Sequence, residues 1–341
     1  MATTVTHIVD PNSGTGFDYD SLYDWEAGEQ GDLTGVRDEI SVAKCRCTGG
    51  TADVTGFTID GWTTSATQYI KIWTDTSESY RHNGTYQTGN KYRLEITDSY
   101  AVYVSVPHVR IDGLVLKLLS STANREGVRL YRGGCFLSNS LILGPNDPDQ
   151  VYIGVEIYFS AENAGTCYLW NNIISERAEG WNSASIDSNI PTGYTTYVYN
   201  CTTISGGYRG IIQTSGSLVC KNCYSYRLID FGDAYTSGVT LTTCASSDDS
   251  GSTGLQNIAL NTTNFTNVTG GAENFDLPLG SALIDVGTDT SGDGAPLNFT
   301  TDIVARTRGA SWDIGAFEYV AAVSAISISI SESLAFAEAL D

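Results

Sequence analysis

From residue 38 onward the chain runs in short stretches where apolar and polar side chains alternate, separated by segments rich in Gly, Asn, Asp and Ser. Glu39–Ala43, Tyr69–Trp73, Tyr92–Ile96, Val102–Val106 and Val109–Leu116 are of this kind. A period of two is that of a strand with one buried face. Ahead of them, Gly14–Asp20 reads as a turn and residues 20–27 as a short helix capped by Asp20 or Ser21. Leu22 and Trp25 share one face of that helix. Such a helix suits a lid over the first strand edges of a stack.

Between residues 109 and 250 one pattern recurs: an apolar run, an Asn or small polar residue, a small residue, and another apolar run. Taking the second small residue as marker gives Gly113, Ser140, Asn172, Cys201, Cys223 and Cys244, with steps of 27, 32, 29, 22 and 21. Gly127, Gly154 and Gly210 open a second ladder in the same register, Gly127 to Gly154 again being 27. A recurring step of this size is one coil of a solenoid whose turns carry insertions. Asn suits the corners, because it tolerates the left-handed backbone region and can stack on the Asn of the next coil. The expected organisation is an entry segment and cap over 1–37, a β-helix body over 38–319, and a tail over 320–341.

Past residue 251 the chain is loop-rich until three segments stand out: Asp276–Gly287 with Ala282-Leu-Ile-Asp285, Asp302–Arg306, and Trp312–Tyr319 with Asp313-Ile-Gly-Ala-Phe-Glu-Tyr. This series resembles the closing coil of pectate-lyase-like right-handed parallel β-helix proteins. The opening Gly14–Leu22 with Trp25-Glu-Ala is similar to the entry cap of such proteins from phage and environmental bacterial genomes. The resemblance implies an all-β chain: a single-stranded right-handed parallel β-helix with an N-terminal cap helix and a C-terminal extension strand. It leaves activity open, because the fold hosts lyases, hydrolases, tailspikes and purely structural proteins.

Charge narrows the partners. The formal net charge is −21, from 18 Lys+Arg against 39 Asp+Glu, so phosphate backbones and anionic lipid are repelled. No apolar stretch is long enough to span a bilayer. Met1–His7 has neither the basic nor the apolar region of a secretory signal, so export through a signal peptide is not expected. Of the eight cysteines, Cys201, Cys223 and Cys244 share one coil position, and Cys135 and Cys167 each precede an Asn by four. That spacing predicts stacked, buried free thiols rather than disulfides. Neither a zinc pattern nor a Ca²⁺-loop spacing occurs, and no cofactor is called for.

Candidate chemistry is sparse. A hydrolase needs two carboxyls on neighbouring coils, which selects Glu126 with Glu156, or Asp230 with Asp233 on one turn. A lyase needs a basic residue beside an Asp cluster, and Arg129, Arg209 and Arg227 have none in evident register. His7, His82 and His108 are far apart in coil order and read as structural. Tyr103, Tyr131, Tyr152, Tyr158 and Tyr208 fall on strands or at their ends, and Tyr131, Tyr158 and Tyr208 are the candidates for stacking on sugar rings. In the tail, Ile326, Ile328 and Ile330 alternate with serines, a strand with one apolar face that must pair with its own body or another chain. The leading expectation is a structural or surface component of a larger assembly, most simply a virion (capsid decoration, tail or fibre subunit). It would self-associate or join other subunits through the tail and offer a polysaccharide-binding surface. The alternatives are a polysaccharide lyase or glycoside hydrolase, and a non-catalytic glycan-binding adhesin or filament subunit.

Overall fold

A computed structural model describes residues 2–97, 99–119, 125–145, 152–163, 165–176, 183–207, 209–228 and 232–321. Tyr208, Asp230, Ile326, Ile328 and Ile330 lie outside the described residues. The chain enters as β1 (Thr3–Val9), crosses α1 (Leu22–Glu29) and returns as β2 (Glu39–Cys45), parallel to β1. Coils of three strands follow. They are β3 (Phe57–Ile59), β4 (Ile70–Trp73) and β5 (Leu94–Ile96); β6 (Tyr100–Val104), β7 (Val109–Asp112) and β8 (Val115–Leu118); β9 (Arg125–Leu130), β10 (Phe136–Ser138) and β11 (Leu141–Leu143). Next come β12 (Tyr152–Tyr158), β13 (Cys167–Trp170) and β14 (Ile173–Glu176); β15 (Ala184–Asn189), β16 (Thr195–Tyr199) and β17 (Thr202–Ser205); β18 (Arg209–Ser215), β19 (Ser217–Lys221) and β20 (Tyr224–Arg227). A last partial turn holds β21 (Thr240–Thr242) and β22 (Ala245–Ser246).

Each strand pairs in parallel with its counterpart one coil on, which makes three sheets along the axis. Sheet A has β1, β2, β4, β7, β10, β13, β16, β19 and β21; sheet B runs from β5 to β22; sheet C runs from β3 to β18. This is a right-handed parallel β-helix, the hand that parallel crossovers take. No helix among the described residues is long and apolar enough to cross a membrane.

The cap helix forms as its sequence dictates. Ser21 Oγ accepts the Asp24 amide at 3.0 Å, and Leu22 and Trp25 are fully buried beneath it. The Leu22 amide donates to Asp53 Oδ2 at 2.9 Å, which ties the lid to the first coil. β1 already belongs to sheet A, so the sheet begins ahead of the cap.

The A-to-B corner explains the repeat. Gly113, Asn139, Asn171, Asn200, Asn222 and Thr243 all take positive φ, between 47° and 75°. Asn and Gly are the residues that occupy this region at least cost. Asp112 faces Ser138 and Val115 faces Leu141, so Gly113 is in register with Asn139 and not with Ser140. The corner steps are therefore 26, 32, 29, 22 and 21, and the run Val109–Leu116 is two strands on two sheets, divided at Gly113. Corner side chains bond along the axis: Asn139 Nδ2 donates to Asp112 Oδ1 at 2.7 Å, Asn171 Nδ2 to Asn139 Oδ1 at 3.1 Å, and Asn222 Nδ2 to Asn200 Oδ1 at 3.3 Å.

Inside, one apolar cluster runs the length of the coils. The eight cysteines are free and buried, with Cys201, Cys223 and Cys244 on successive coils as the spacing predicts. Burial drives most of these thiols, Cys135 and Cys167 among them, up from their ordinary range, which keeps them protonated. Gly127 and Gly154 are required by contact: a Cβ at Gly127 would sit 2.4 Å from Ile142 Cγ2, and one at Gly154 2.2 Å from Ile174 Cγ2.

The segment that resembles a closing coil is not a coil. Residues 255–319 contribute no strand to the three sheets and lie instead as a strap over the outer face of sheet B. Val115, Leu141, Ile173, Ile204 and Tyr224 point outward there and pack under Phe265, Phe275, Leu283, Ile303, Ile314 and Phe317. The charged residues of the motif fasten the strap. Arg308, fully buried, pairs with Glu318 (Nη1–Oε2 3.1 Å) and donates to Asn171 Oδ1 at 2.9 Å. It thereby enters the corner ladder between Asn171 and Asn200, whose Nδ2 turns to the Asp313 carbonyl at 3.2 Å. Arg306 pairs with Asp302 and Asp276 at 2.8 and 2.9 Å.

Candidate functional site

With sheet B covered, the outer faces of sheets C and A remain. On sheet C the backbone turns two consecutive residues inward, Gly127 with Val128 and Gly154 with Val155, so Glu126, Arg129 and Glu156 point outward together. Arg129 and Glu156 are direct register partners on β9 and β12, and Asp187 follows Glu156 on β15. Arg129 Nε lies 2.7 Å from Glu156 Oε2, and its Nη1 3.6 Å from Glu126 Oε2. Burial, then the Glu156 charge, pushes Glu126 up to about 7, and burial also raises Glu156. The Glu156 charge beside it makes Glu126 the carboxyl of the pair that keeps its proton to higher pH.

The sequence thus selected a pair that the fold brings together, but as an arginine-bridged triad. A sugar-cleaving pair keeps its carboxyls roughly 5 Å or more apart so that a ring or a water fits between them. Asp233 is exposed, one coil beyond β18 and three coils from Glu156, and does not join it. Arg227 pairs with Asp248 at 2.7 Å. Around the triad, Tyr131 and Tyr158 stack on each other with centroids 5.8 Å apart, and Tyr103 meets Tyr131 edge-on at 6.0 Å. Tyr158 is exposed, whereas Tyr152 is fully buried and lends nothing to the surface. His82 is structural: its Nδ1 accepts the Gly84 amide at 3.0 Å, its Nε2 donates to the Asn139 carbonyl, and burial pushes it down to about 3.

Sheet A carries the arrangement that sequence reasoning missed. Lys71, Arg110, Phe136, Tyr168 and Tyr197 are successive register partners on β4, β7, β10, β13 and β16, all half-exposed on the outer face. Parallel neighbours are about 4.8 Å apart, so the row is a straight track of roughly 19 Å. Tyr168 stacks on Tyr197 at 5.5 Å with ring planes 9° apart, and Phe136 meets Tyr168 edge-on at 5.3 Å. The Arg110 guanidinium lies 3.4 Å from the Tyr69 centroid and 5.0 Å from that of Phe136; Lys71 Nζ sits 3.6 Å over Trp73. A parallel row through Trp170 is closed off, because Phe299 of the strap stacks on Trp170 at 6.1 Å. Beside the open row, Ala66, His108, Arg110, Phe136 and Tyr168 line a cleft of about 350 Å³. The signal was in the sequence: each residue of the row after Lys71 stands three before its corner residue, as Phe136 does before Asn139 and Tyr168 before Asn171.

No family model matches the chain, and no curated protein does. Among solved structures it is similar to the crystal structure of pectate lyase Pel9A, at 13% identity over 93% of this chain and 97% of that one, with a TM-score of 0.43. The parallel β-helix is established by the chain's own sheet registers.

Proposed function

We propose that this chain is a non-catalytic, glycan-binding β-helix that serves as a surface component of a larger assembly. The observation that carries the binding half is the uninterrupted aromatic row Phe136–Tyr168–Tyr197 on the part of sheet A that the strap leaves open. A row of rings packed on one another offers a continuous apolar track with hydroxyl edges against which sugar C–H faces can lie, and a rigid scaffold holds it without further ordering cost. Tyr131 and Tyr158 on sheet C offer a second, smaller platform of the same kind. The assembly half, a virion or filament subunit, draws on the acidic surface and on Ile326, Ile328 and Ile330 in the alternating tail.

A glycan array read with the full chain, Tyr168→Ala and Tyr197→Ala tests the binding. Each substitution is expected to weaken the bound glycans about tenfold, near 1.4 kcal/mol per lost ring contact. An array that gives no binder, or binders indifferent to both changes, ends the reading. For assembly, solution mass is compared between the full chain and a chain ending at Tyr319. A defined oligomer lost on truncation supports the tail as an assembly strand, and two monomers sink it.

The enzyme reading has one observation in its favour, the Glu126 carboxyl held near 7 beside Glu156. Arg129 bridges the two, 2.7 Å from Glu156 and 3.6 Å from Glu126, where glycoside hydrolysis needs room for a sugar or a water.

A further inference from the structure

In a chain with 39 acidic residues against 18 basic ones, most described cations sit in ion pairs. Among the described residues, Lys91, Lys117, Arg132 and Arg209 lack one singly, whereas Lys71 and Arg110 lack one as neighbours in register. Lys44, Arg46, Arg81 and Arg93 all sit in ion pairs of 3.2 Å or less. Lys71 and Arg110 do not: among the described residues neither meets a carboxylate within ion-pair distance. The acids nearest Lys71, Asp75 and Asp112, are taken up by Lys44 (2.8 Å) and Arg81 (3.2 Å). Lys71 and Arg110 are direct register partners on adjacent strands, so two cationic side chains leave the backbone side by side at one end of the aromatic row. Their like charges oppose each other, and no carboxylate among the described residues offsets this. Their charged groups lie over Trp73, Tyr69 and Phe136, which fixes them in place instead of leaving them to sweep the solvent. Away from this end the row is neutral.

The geometry points to a glycan of mixed charge as the ligand of sheet A. One acidic sugar, carrying a carboxylate or sulfate, is read by Lys71 and Arg110 next to the cleft at Ala66, His108 and Phe136. The neutral sugars that follow lie along the outer edges of the Tyr168 and Tyr197 stack. The inference rests on the glycan-binding reading and gives it a polarity: the acid lies toward the cap, the neutral units toward the C-terminal coils. A polymer acidic at every sugar fits poorly, because beyond Arg110 its charges face aromatic rings on a protein of net charge −21.

The test uses the full chain on an array of neutral, singly acidic and fully acidic oligosaccharides, with sialyllactose against lactose as the defined pair and oligogalacturonates as the fully acidic class. Wild type is expected to bind the singly acidic class at least tenfold more tightly than its neutral counterparts, and the fully acidic class more weakly. Lys71→Gln with Arg110→Gln erases the preference for acid and leaves residual neutral binding. The preference also falls as salt rises. Wild-type binding that is equal for neutral and acidic ligands, and unmoved by the double substitution, overturns this inference while Tyr168→Ala still reports on the glycan reading. Preference for the fully acidic class overturns the polarity. Absence of any binder removes both.

Discussion

The outer faces of sheets A and B are built from the same coils, on either side of one corner residue, and they have opposite fates. Two positions after the corner, Val115, Leu141, Ile173, Tyr224 and Ala245 present aliphatic or fully buried side chains that water would penalise, and the strap covers them. Three positions before it, Arg110, Phe136, Tyr168 and Tyr197 stay half-open, because rings that stack on one another and carry cations tolerate water. An aliphatic row on a solenoid calls for a cover, whereas an aromatic and cationic row can remain bare and meet a partner.

The largest way to break this contrast is to unfasten the cover. Arg308→Ala leaves Glu318 buried without its cation and Asn171 Oδ1 without its donor, which costs about 3–5 kcal/mol. Urea unfolding should show that loss, and amide exchange should rise in 281–319 ahead of the coils. A loss below about 1 kcal/mol would mean that the strap is held by its apolar contacts alone. A smaller pair of substitutions compares the faces directly. Ile173→Ala, beneath the strap, is expected to cost about 2–4 kcal/mol, and Tyr168→Ala, on the open row, about 1 kcal/mol. Equal losses would erase the distinction between a covered and a bare face.

How much of this was legible depends on the range of the interaction. Coil period, cap helix and buried thiols could all be read from the sequence, because each rests on spacing within a coil or on a residue's own preference. The register slipped by one where the corner residue is Gly113 with no Asn beside it, and that slip hid the row three residues before each corner. The strap was misread because Asp302–Arg306 and Trp312–Tyr319 look locally like coil segments. Their role is set by partners far along the chain, such as Asn171, 137 residues from Arg308. Glu126 and Glu156 were found as neighbours, but the Arg129 that bridges them was weighed separately, and only the fold puts all three on one face.

Sheet C offers an intermediate case and a pH test. Glu126 is held near 7 against an ordinary 4.5, with burial as the main cause. Below 4.5 both folded and unfolded states carry the proton; between 4.5 and 7 only the folded state does. Stability therefore falls as pH rises across that window, by on the order of 1–3 kcal/mol from this group. Asp313 within the strap, raised to about 6 chiefly by burial, adds a fall of the same sign between 3.8 and 6. Glu126→Gln should remove only the Glu126 share, so melting curves of the two proteins converge at pH 5 and separate by pH 8, with the variant more stable. Parallel curves across the range would place the proton elsewhere.

The smallest effect is the most telling about the open face. If Lys71 and Arg110 served the fold, their removal would cost stability in the way that Arg308 does. Among the described residues each lacks a carboxylate partner, and the two sit in register, so their like charges oppose each other. Lys71→Gln with Arg110→Gln is therefore expected to change unfolding free energy by no more than about 0.5 kcal/mol, the lost cation–π contacts being offset by relief of that repulsion. Urea midpoints compared at low and at 0.5 M salt check it, since salt should stabilise the wild type slightly and leave the variant unmoved. A loss of 2 kcal/mol or more would make the pair a structural brace of sheet A. A null effect on stability means that the fold keeps two unpaired cations on its surface for something other than itself.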